Sequence, residues 1–546
     1  MTLPRKRNIN ATIICALLVG SYFYLWDHYA LNIPKWDDHS IKATILNYAK
    51  SVSFDQKLYE LYRQHNEHRI SLTRLVALVD FGLFGTLNFK HLMLFGNLAL
   101  LLISWLLVRF FRATVAPVWY ALPVVSLWFS LAFWENAFWG MAAIQNLWVV
   151  ALAMLAFWFI SQPYKQWGWA ILFAFCATFT SGNGLAVWPI GLAILLIQRN
   201  WRRTTWWLVA AVGCFVLYFY DYQSPADIAV GTATFGDSLR AFVLFSGALM
   251  EGVSIGNDPY QMPLWVGRLN LFVSVCLLIY LVRSYLKRHF ELSPNDYFYL
   301  GGTLFALATA VVVVYSRAGH NDYAVALTSR YKVYSALLLS LNVAYLTLLV
   351  SERFLRESLH VTFLVAATFI YVCNQHYHLY ETIMFRKFLI TSCLNDELGV
   401  VPLLNGRPIY SPPALFIDRL PPTPTDSLQA QPCMLQANKL QLSRGDYRLR
   451  DLRDGGLYLF LENKKTLKRY LFPTQQARKH SFRNLLNYSQ FFIKGSTVSV
   501  ASPAQESGMY RVLWLNYDSG IISFKPANCS EVVFAETPQK VAKTNW

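Results

Sequence analysis

Two aspartates sit in Lys35-Trp36-Asp37-Asp38-His39, shortly after an apolar run that ends near Trp26. A carboxylate that takes a proton from a hydroxyl must be fixed and partly desolvated, and an acidic pair at the mouth of a membrane helix meets both needs. Asp is also a preferred helix N-cap, so the same pair suits a structural cap on the segment that follows. A second cluster, Arg63-Gln64-His65-Asn66-Glu67-His68-Arg69 with Arg74 just beyond, adds imidazole, carboxylate and fixed positive charge. Guanidinium groups pair well with phosphate. His65 and His68 share a helical face if the segment is a helix. With Asp37, Asp38 and Glu67 as oxygen ligands they make a divalent cation, Mg or Mn, a candidate cofactor. The competing use of loop histidines is plain hydrogen bonding.

Further polar residues recur between apolar runs. Trp134-Glu135-Asn136-Ala137-Phe138-Trp139-Gly140 sets Glu135 and Asn136 between aromatic rings, with Gln145 and Asn146 close behind. Ser181-Gly182-Asn183-Gly184 is a tight turn, and Asn183 either faces a cavity or only serves the turn. His320 and Asp322 precede Ser329-Arg330-Tyr331. Arg330 reads either as a phosphate clamp or as an interfacial arginine with its charge turned to water.

The elements that must position these residues are membrane helices. The chain has 546 residues, 55% of them apolar and only 14% charged, with a mean hydropathy of +0.32. Soluble domains carry about 25% charge, so an ordinary soluble enzyme and a disordered chain are both excluded. The net charge of +17 would point to nucleic acid in a soluble protein. Here much of it lies in loops between apolar runs, where topology and anionic headgroups account for it, and no nucleic-acid partner is expected. Eleven runs are long enough to span or nearly so: about 9–26, 92–108, 115–133, 147–161, 167–180, 184–198, 205–220, 264–282, 297–315, 331–350 and 359–375. With the N-terminus inside, the inner loops hold Arg109, Arg112, Lys165, Arg199, Arg202, Arg203, Arg283, Lys287, Arg288, Arg353 and Arg356. The outer loops 134–146, 181–183, 221–263 and 316–330 carry few basic residues: Arg240, Arg317 and Arg330. That asymmetry fixes the orientation. Residues 239–255 are apolar but include Glu251, and a full span there would invert every later loop. They read as a re-entrant or interfacial helix on the outer side.

The chain therefore divides into a membrane domain, 1–376, and an extracytoplasmic tail, 377–546. The first outer loop, 27–90, carries amphipathic segments suited to the membrane surface. The tail reads as a small β-rich or α+β domain. Residues 510–524 form a hairpin turning at Asp518-Ser519-Gly520, and 445–462 another turning at Asp454-Gly455-Gly456. Of the eight cysteines, Cys393, Cys433 and Cys529 fall in this polar region, and one pair among them is free to form a disulfide outside the cytoplasm.

An inward N-terminus, a long outer loop opening on Asp-Asp, about eleven spans and an outer C-terminal domain together resemble the GT-C superfamily of membrane glycosyltransferases. The ordered motifs WDDH, QHNEHR, WENAFWG, SGNGLAVWP and SRY are similar to bacterial proteins of that type, over about residues 1–375. The resemblance implies transfer of a sugar from a polyprenyl-phosphate donor to a glycan, lipid or protein acceptor at the outer face of a bacterial plasma membrane. It implies an Asp37 or Asp38 general base and inversion at the anomeric carbon; Glu67, in a cluster that is not general to the superfamily, is a further catalytic candidate. Arg330, Arg69 and Arg74 would meet the leaving phosphate, and Glu135 and Asn136 the sugar hydroxyls. His65, His68, Asn183 and Tyr331 complete the expected binding set. The competing readings are a transporter or flippase of a lipid-linked sugar, and a non-catalytic assembly protein for envelope glycans. Transport requires polar groups crossing mid-membrane.

Overall fold

The computed structural model describes residues 3–111, 118–163, 165–224, 233–253, 258–319, 322–395, 402–424, 432–436, 439–449, 451–478, 492–501 and 507–535. His320 lies outside the described residues. The chain forms two compact units. One comprises Met1–Trp26, Thr44–Gly85 and His91–His378; the other comprises Asp27–Ala43, Thr86–Lys90 and Leu379–Trp546.

The first unit is helical. Among the described residues, eight helices are long and apolar enough to cross a membrane: Ile9–Tyr29, Phe89–Phe111, Trp119–Phe138, Gly140–Ser161, Gln261–Lys287, Pro294–Arg317, Ser329–Leu349 and Arg353–Asn395. The chain is thus a mainly helical, multi-pass membrane protein. The count differs from eleven in the region between 162 and 224. There Gly168–Thr178 and Val187–Ile197 have 11 residues each. At 1.5 Å per residue each reaches about 16 Å, roughly half of a bilayer's hydrocarbon core. The third, Trp201–Phe219, opens on Arg202 and Arg203. The stretch 239–255 forms the helix Phe235–Gly247, followed by a 3-10 segment, Ala248–Val253. Thr234 and Asp237 cap it reciprocally.

Close packing in this unit rests on small residues and on polar groups that satisfy one another. A Cβ at Gly247 would lie 2.0 Å from the Pro263 carbonyl oxygen, and one at Gly267 2.0 Å from that of Val243, so two helix backbones touch there. A buried polar spine runs along Ser329–Leu349. The Ser335 hydroxyl donates to the Ser246 carbonyl at 3.0 Å, and Asn270 Nδ2 donates to the same oxygen at 3.1 Å. Asn342 Nδ2 donates to Asn270 O, Asn270 Oδ1 and Ser274 Oγ at 3.0, 2.8 and 2.9 Å. Asn342 Oδ1 accepts from Tyr299 at 2.7 Å. Further on, the Tyr345 hydroxyl donates to Asp296.

The expected outer segment 40–62 is also helical, as Asp38–Lys50 and Phe54–Tyr62, the latter with a Ser53/Gln56 capping box. Beyond it lies a minimal hairpin, β1 (Gln64–His65) and β2 (His68–Arg69). His65 and His68 face each other across this ladder rather than sharing a helical face. Asn66, at φ +47°, makes the reversal.

The second unit is β-rich. After two short paired strands, β3 (Leu403–Leu404) and β4 (Arg407–Pro408), come β5 (Leu435–Gln436), β6 (Lys439–Arg444), β7 (Gly456–Asn463), β8 (Arg469–Pro473), β9 (Gln475–Arg478), β10 (Phe492–Ala501), β11 (Gly508–Asp518) and β12 (Ile521–Phe534). Two four-stranded sheets form, in the orders β5-β6-β10-β9 and β12-β11-β7-β8. Leu440, Val498 and Val500 of the first pack with Leu459, Leu461, Tyr510 and Trp514 of the second, making a sandwich. The β11–β12 hairpin turns at Ser519 and Gly520, both at positive φ, as a two-residue loop of that hand requires. The second expected hairpin, 445–462, does not form. β6 and β7 belong to different sheets, and the described residues 445–449 and 451–455 of the crossing loop between them lie in no strand. Cys433 and Cys529 form a disulfide, in which Cys393 takes no part.

Candidate active site

The β1–β2 hairpin is anchored by arginines. Arg69 is 1% exposed. Its Nε donates to the Tyr218 carbonyl at 2.6 Å, Nη1 to Tyr62 at 2.9 Å, and Nη2 to Tyr220. Its guanidinium thus closes the C-terminal end of helix Trp201–Phe219, where carbonyls lack intrahelical partners. Arg74, equally buried, donates through Nη1 to the Arg63 carbonyl. Its Nε and Nη2 have no hydrogen-bond partner among the described residues. Burial and the nearby Arg63 push its pKa down to about 9. Burial, with Arg74 next in effect, also pushes His65 down to about 4, so it is neutral near pH 7.

Glu67 and His68 face a different set of partners. His68 Nδ1 accepts from the Gly182 amide at 3.3 Å, which leaves the proton on Nε2, 3.5 Å from the Glu67 carboxylate. A Cβ at residue 182 would come within 2.7 Å of His68 Nδ1, so glycine there permits the approach. Arg317 bonds Glu67 Oε1 through Nη2 and the Tyr331 hydroxyl through Nη1. Burial works to raise the Glu67 carboxyl, but His68, a backbone amide and Arg317 together hold it below the usual range. His68 is lowered by burial, against the pull of Glu67.

The Ser329–Lys332 segment draws the other groups together. The Ser329 hydroxyl donates to the Ala132 carbonyl at 2.9 Å and accepts from the Glu135 amide at 3.3 Å. Arg330 Nε lies 3.7 Å from Glu135 Oε2, and its guanidinium sits 5.1 Å from the Trp139 ring centroid. Its carbonyl accepts from Asn136 Nδ2 at 3.1 Å, and Asn136 Oδ1 accepts from Asn146 at 3.0 Å. Asn146 lies in a π-helical turn, Ile144–Trp148, a distortion frequent at functional sites. Asn183 Nδ2 donates to the Tyr334 hydroxyl at 2.6 Å, one helical turn beyond Arg330. Lys332, 1% exposed, bonds Glu251, and its ammonium lies 3.3 Å from His378 Nε2. Three consecutive residues thus lead to three carboxylates from different elements: Arg330 to Glu135, Tyr331 through Arg317 to Glu67, and Lys332 to Glu251.

Asp37 and Asp38 belong to the other unit. Asp38 is 0% exposed and its Oδ2 accepts from the Lys35 amide at 3.1 Å. It is the first residue of helix Asp38–Lys50, where a carboxylate is favourable to the helix dipole. Asp37 is half-buried, and its carbonyl accepts from Ser40. Among the described residues no group of three or more His, Cys, Asp or Glu is arranged to hold a metal ion.

Sequence reading missed Arg317, Lys332, Glu251 and His378 as members of one constellation. The signal for Glu251 was its presence as the single carboxylate in an apolar stretch, 239–255. Its partner is 81 residues away, and Arg317 is 250 from Glu67, so no local spacing reveals either pair. Comparison with family models, with curated proteins and with solved structures finds no match to this chain.

Proposed function

We propose that the chain is a membrane glycosyltransferase that moves a sugar from a polyprenyl-phosphate donor to a glycan, lipid or protein acceptor. The observation that carries this reading is the fan of carboxylates and cations around Ser329–Lys332, placed at the start of a membrane-length helix. Transfer needs a carboxylate to accept the acceptor hydroxyl's proton as its oxygen attacks the anomeric carbon. It also needs positive charge where the sugar–phosphate bond breaks and the phosphate leaves with the electron pair. Glu67 and Asp37 are the proposed bases; the complete enclosure of Asp38 speaks against that residue meeting an acceptor hydroxyl. Arg330, with Arg74, is proposed to meet the phosphate. Arg69 is engaged by backbone carbonyls and positions the hairpin. Glu135 and Asn136 are proposed to bind sugar hydroxyls.

The proposed setting is a bacterial plasma membrane with the N-terminus cytoplasmic and the C-terminal unit outside. The Cys433–Cys529 disulfide supports an oxidising compartment for that unit. The test is a transfer assay with the purified full-length protein and a panel of labelled polyprenyl-phosphate hexoses, reading release of polyprenyl phosphate. Release that is lost in Glu67→Gln or Asp37→Asn and in Arg330→Ala, with the fold retained, supports the reading. Turnover by none of the panel, with donor and vesicle-embedded protein both intact, goes against it.

A second reading, transport of a lipid-linked sugar, is favoured by the polar spine from Ser335 to Tyr345, which runs along a membrane-length helix. Its side chains are buried and bonded to one another, which suits interhelical adhesion as well as passage. Movement of a labelled lipid across vesicles without bond cleavage would select transport.

A further inference from the structure

The β-rich unit contains a cleft of about 1000 Å³ at one mouth of its sandwich, which no step of the proposed transfer uses. One wall is the crossing loop, with Arg444, Asp446, Tyr447, Arg448 and Asp451; the other comes from Asn516, Tyr517 and Asp518 of β11 and Lys525 of β12, with Lys494 of β10 beside them. Phe492, Leu449 and Leu457 are buried among the lining residues. We propose that this cleft binds a saccharide bearing carboxylate groups.

The loop wall is pre-built. The Gly495 amide donates to the Tyr447 carbonyl at 2.8 Å, tying the loop to β10. Arg444 holds Asp446 through two bonds, at 2.8 and 3.2 Å. Asp451 accepts from the Arg453 and Gly455 amides at 2.8 and 2.9 Å, and a Cβ at residue 455 would lie 2.4 Å from the Asp451 Cβ. A wall fixed before the ligand arrives loses little entropy on binding. The Tyr517 ring stacks on Phe416 at 4.3 Å, which holds it in one orientation.

The chemistry of the lining selects the ligand class. Four cations meet three carboxylates, so the cleft is weakly positive and richly polar on both signs. A nucleic-acid backbone carries a phosphate at each nucleotide and few hydroxyls, so it offers few donors to the three lining carboxylates. Saccharide hydroxyls instead donate to carboxylates and to Asn516, and accept from lysine and arginine. Arg444 is matched by Asp446, while Lys494 and Lys525 line the cleft at exposed positions, where each can meet an anionic substituent. This inference does not depend on the activity of the helical unit.

The test uses the full-length protein in detergent with a tetragalacturonate probe and maltotetraose as the neutral comparator, measured by thermophoresis. Tetragalacturonate is expected to bind at least tenfold more tightly than maltotetraose. Lys494→Ala with Lys525→Ala is expected to weaken it at least tenfold, while Lys439→Ala, outside the cleft, leaves it unchanged. Both variants carry changes at exposed positions, and an unaltered melting temperature shows that they fold. Equal binding of the two sugars, no binding of the acidic one, or binding indifferent to both lysines overturns the assignment.

Discussion

Asn342 is the centre of the buried polar spine in the helical unit. It sits 2% exposed within a membrane-length helix and joins Asn270, Ser274 and Tyr299 through one amide. Replacing it by Leu keeps the branched outline of the side chain but removes every one of those bonds. Ser274 retains its bond to the Asn270 carbonyl at 2.8 Å, so two groups, Asn270 Oδ1 and the Tyr299 hydroxyl, lose a partner. At roughly 1–1.7 kcal/mol for each such group in a membrane bundle, the loss is about 2–3 kcal/mol. The assay is reversible unfolding of the detergent-solubilised protein in SDS, followed by tryptophan fluorescence. Asn270→Leu in the same background should then cost little more, because the two residues share the interaction. A single-variant loss below about 0.5 kcal/mol, or full additivity of the two, would refute the spine as a stabilising network.

Other expectations follow from the charged groups and the disulfide. Lys332→Met leaves Glu251 unpaired in a largely closed site and should destabilise by about 3–5 kcal/mol, most of which Glu251→Gln in the same chain should restore; a double-mutant cycle checks it. The Cys433–Cys529 bridge closes a separation of 96 residues, for which chain entropy gives up to about 4.7 kcal/mol. Cys433→Ala with Cys529→Ala should therefore lower the melting temperature of the β-rich unit while leaving that of the helical unit in place, as calorimetry would read. His65 falls from its ordinary 6.5 to about 4 in the folded protein, chiefly through burial. Between those values the unfolded chain binds the proton and the folded one does not, so stability should decline as pH drops from 6.5 to 4. His65→Gln should flatten that slope in pH-dependent melting.

What was legible beforehand follows from how local each signal is. Apolar run length marks a span without help from the rest of the chain, and the eight long helices lie where such runs were read. It overcounts where a run is interrupted, as at Ser181-Gly182-Asn183-Gly184, because the pieces on either side are only 11 residues long. Alternation around Asp518-Ser519-Gly520 foretold a hairpin whose strands pair with each other. The same pattern around Asp454-Gly455 misled, because β7 takes its partners from β8 and β11 instead. The spacing of His65 and His68 fits either a helix face or a cross-strand pair, and only the turn at Asn66 decides between them. Arg69 was legible as a fixed cation suited to phosphate but not as a helix-end clamp, since its carbonyl partners at Tyr218 and Tyr220 lie about 150 residues away. The Glu135–Arg330 and Glu67–Arg317 pairs join segments far apart in the chain, where sequence offered the residue types and not their meeting.

The most direct test of the proposed transfer compares envelope glycans and lipid-linked sugars by mass spectrometry across cells with the intact, deleted, Asp37→Asn and Glu67→Gln proteins at equal level. The account predicts that deletion and at least one carboxylate variant lose the same single sugar and accumulate its polyprenyl-phosphate donor. Altered glycans on deletion, with both carboxylate variants fully active, would contradict it.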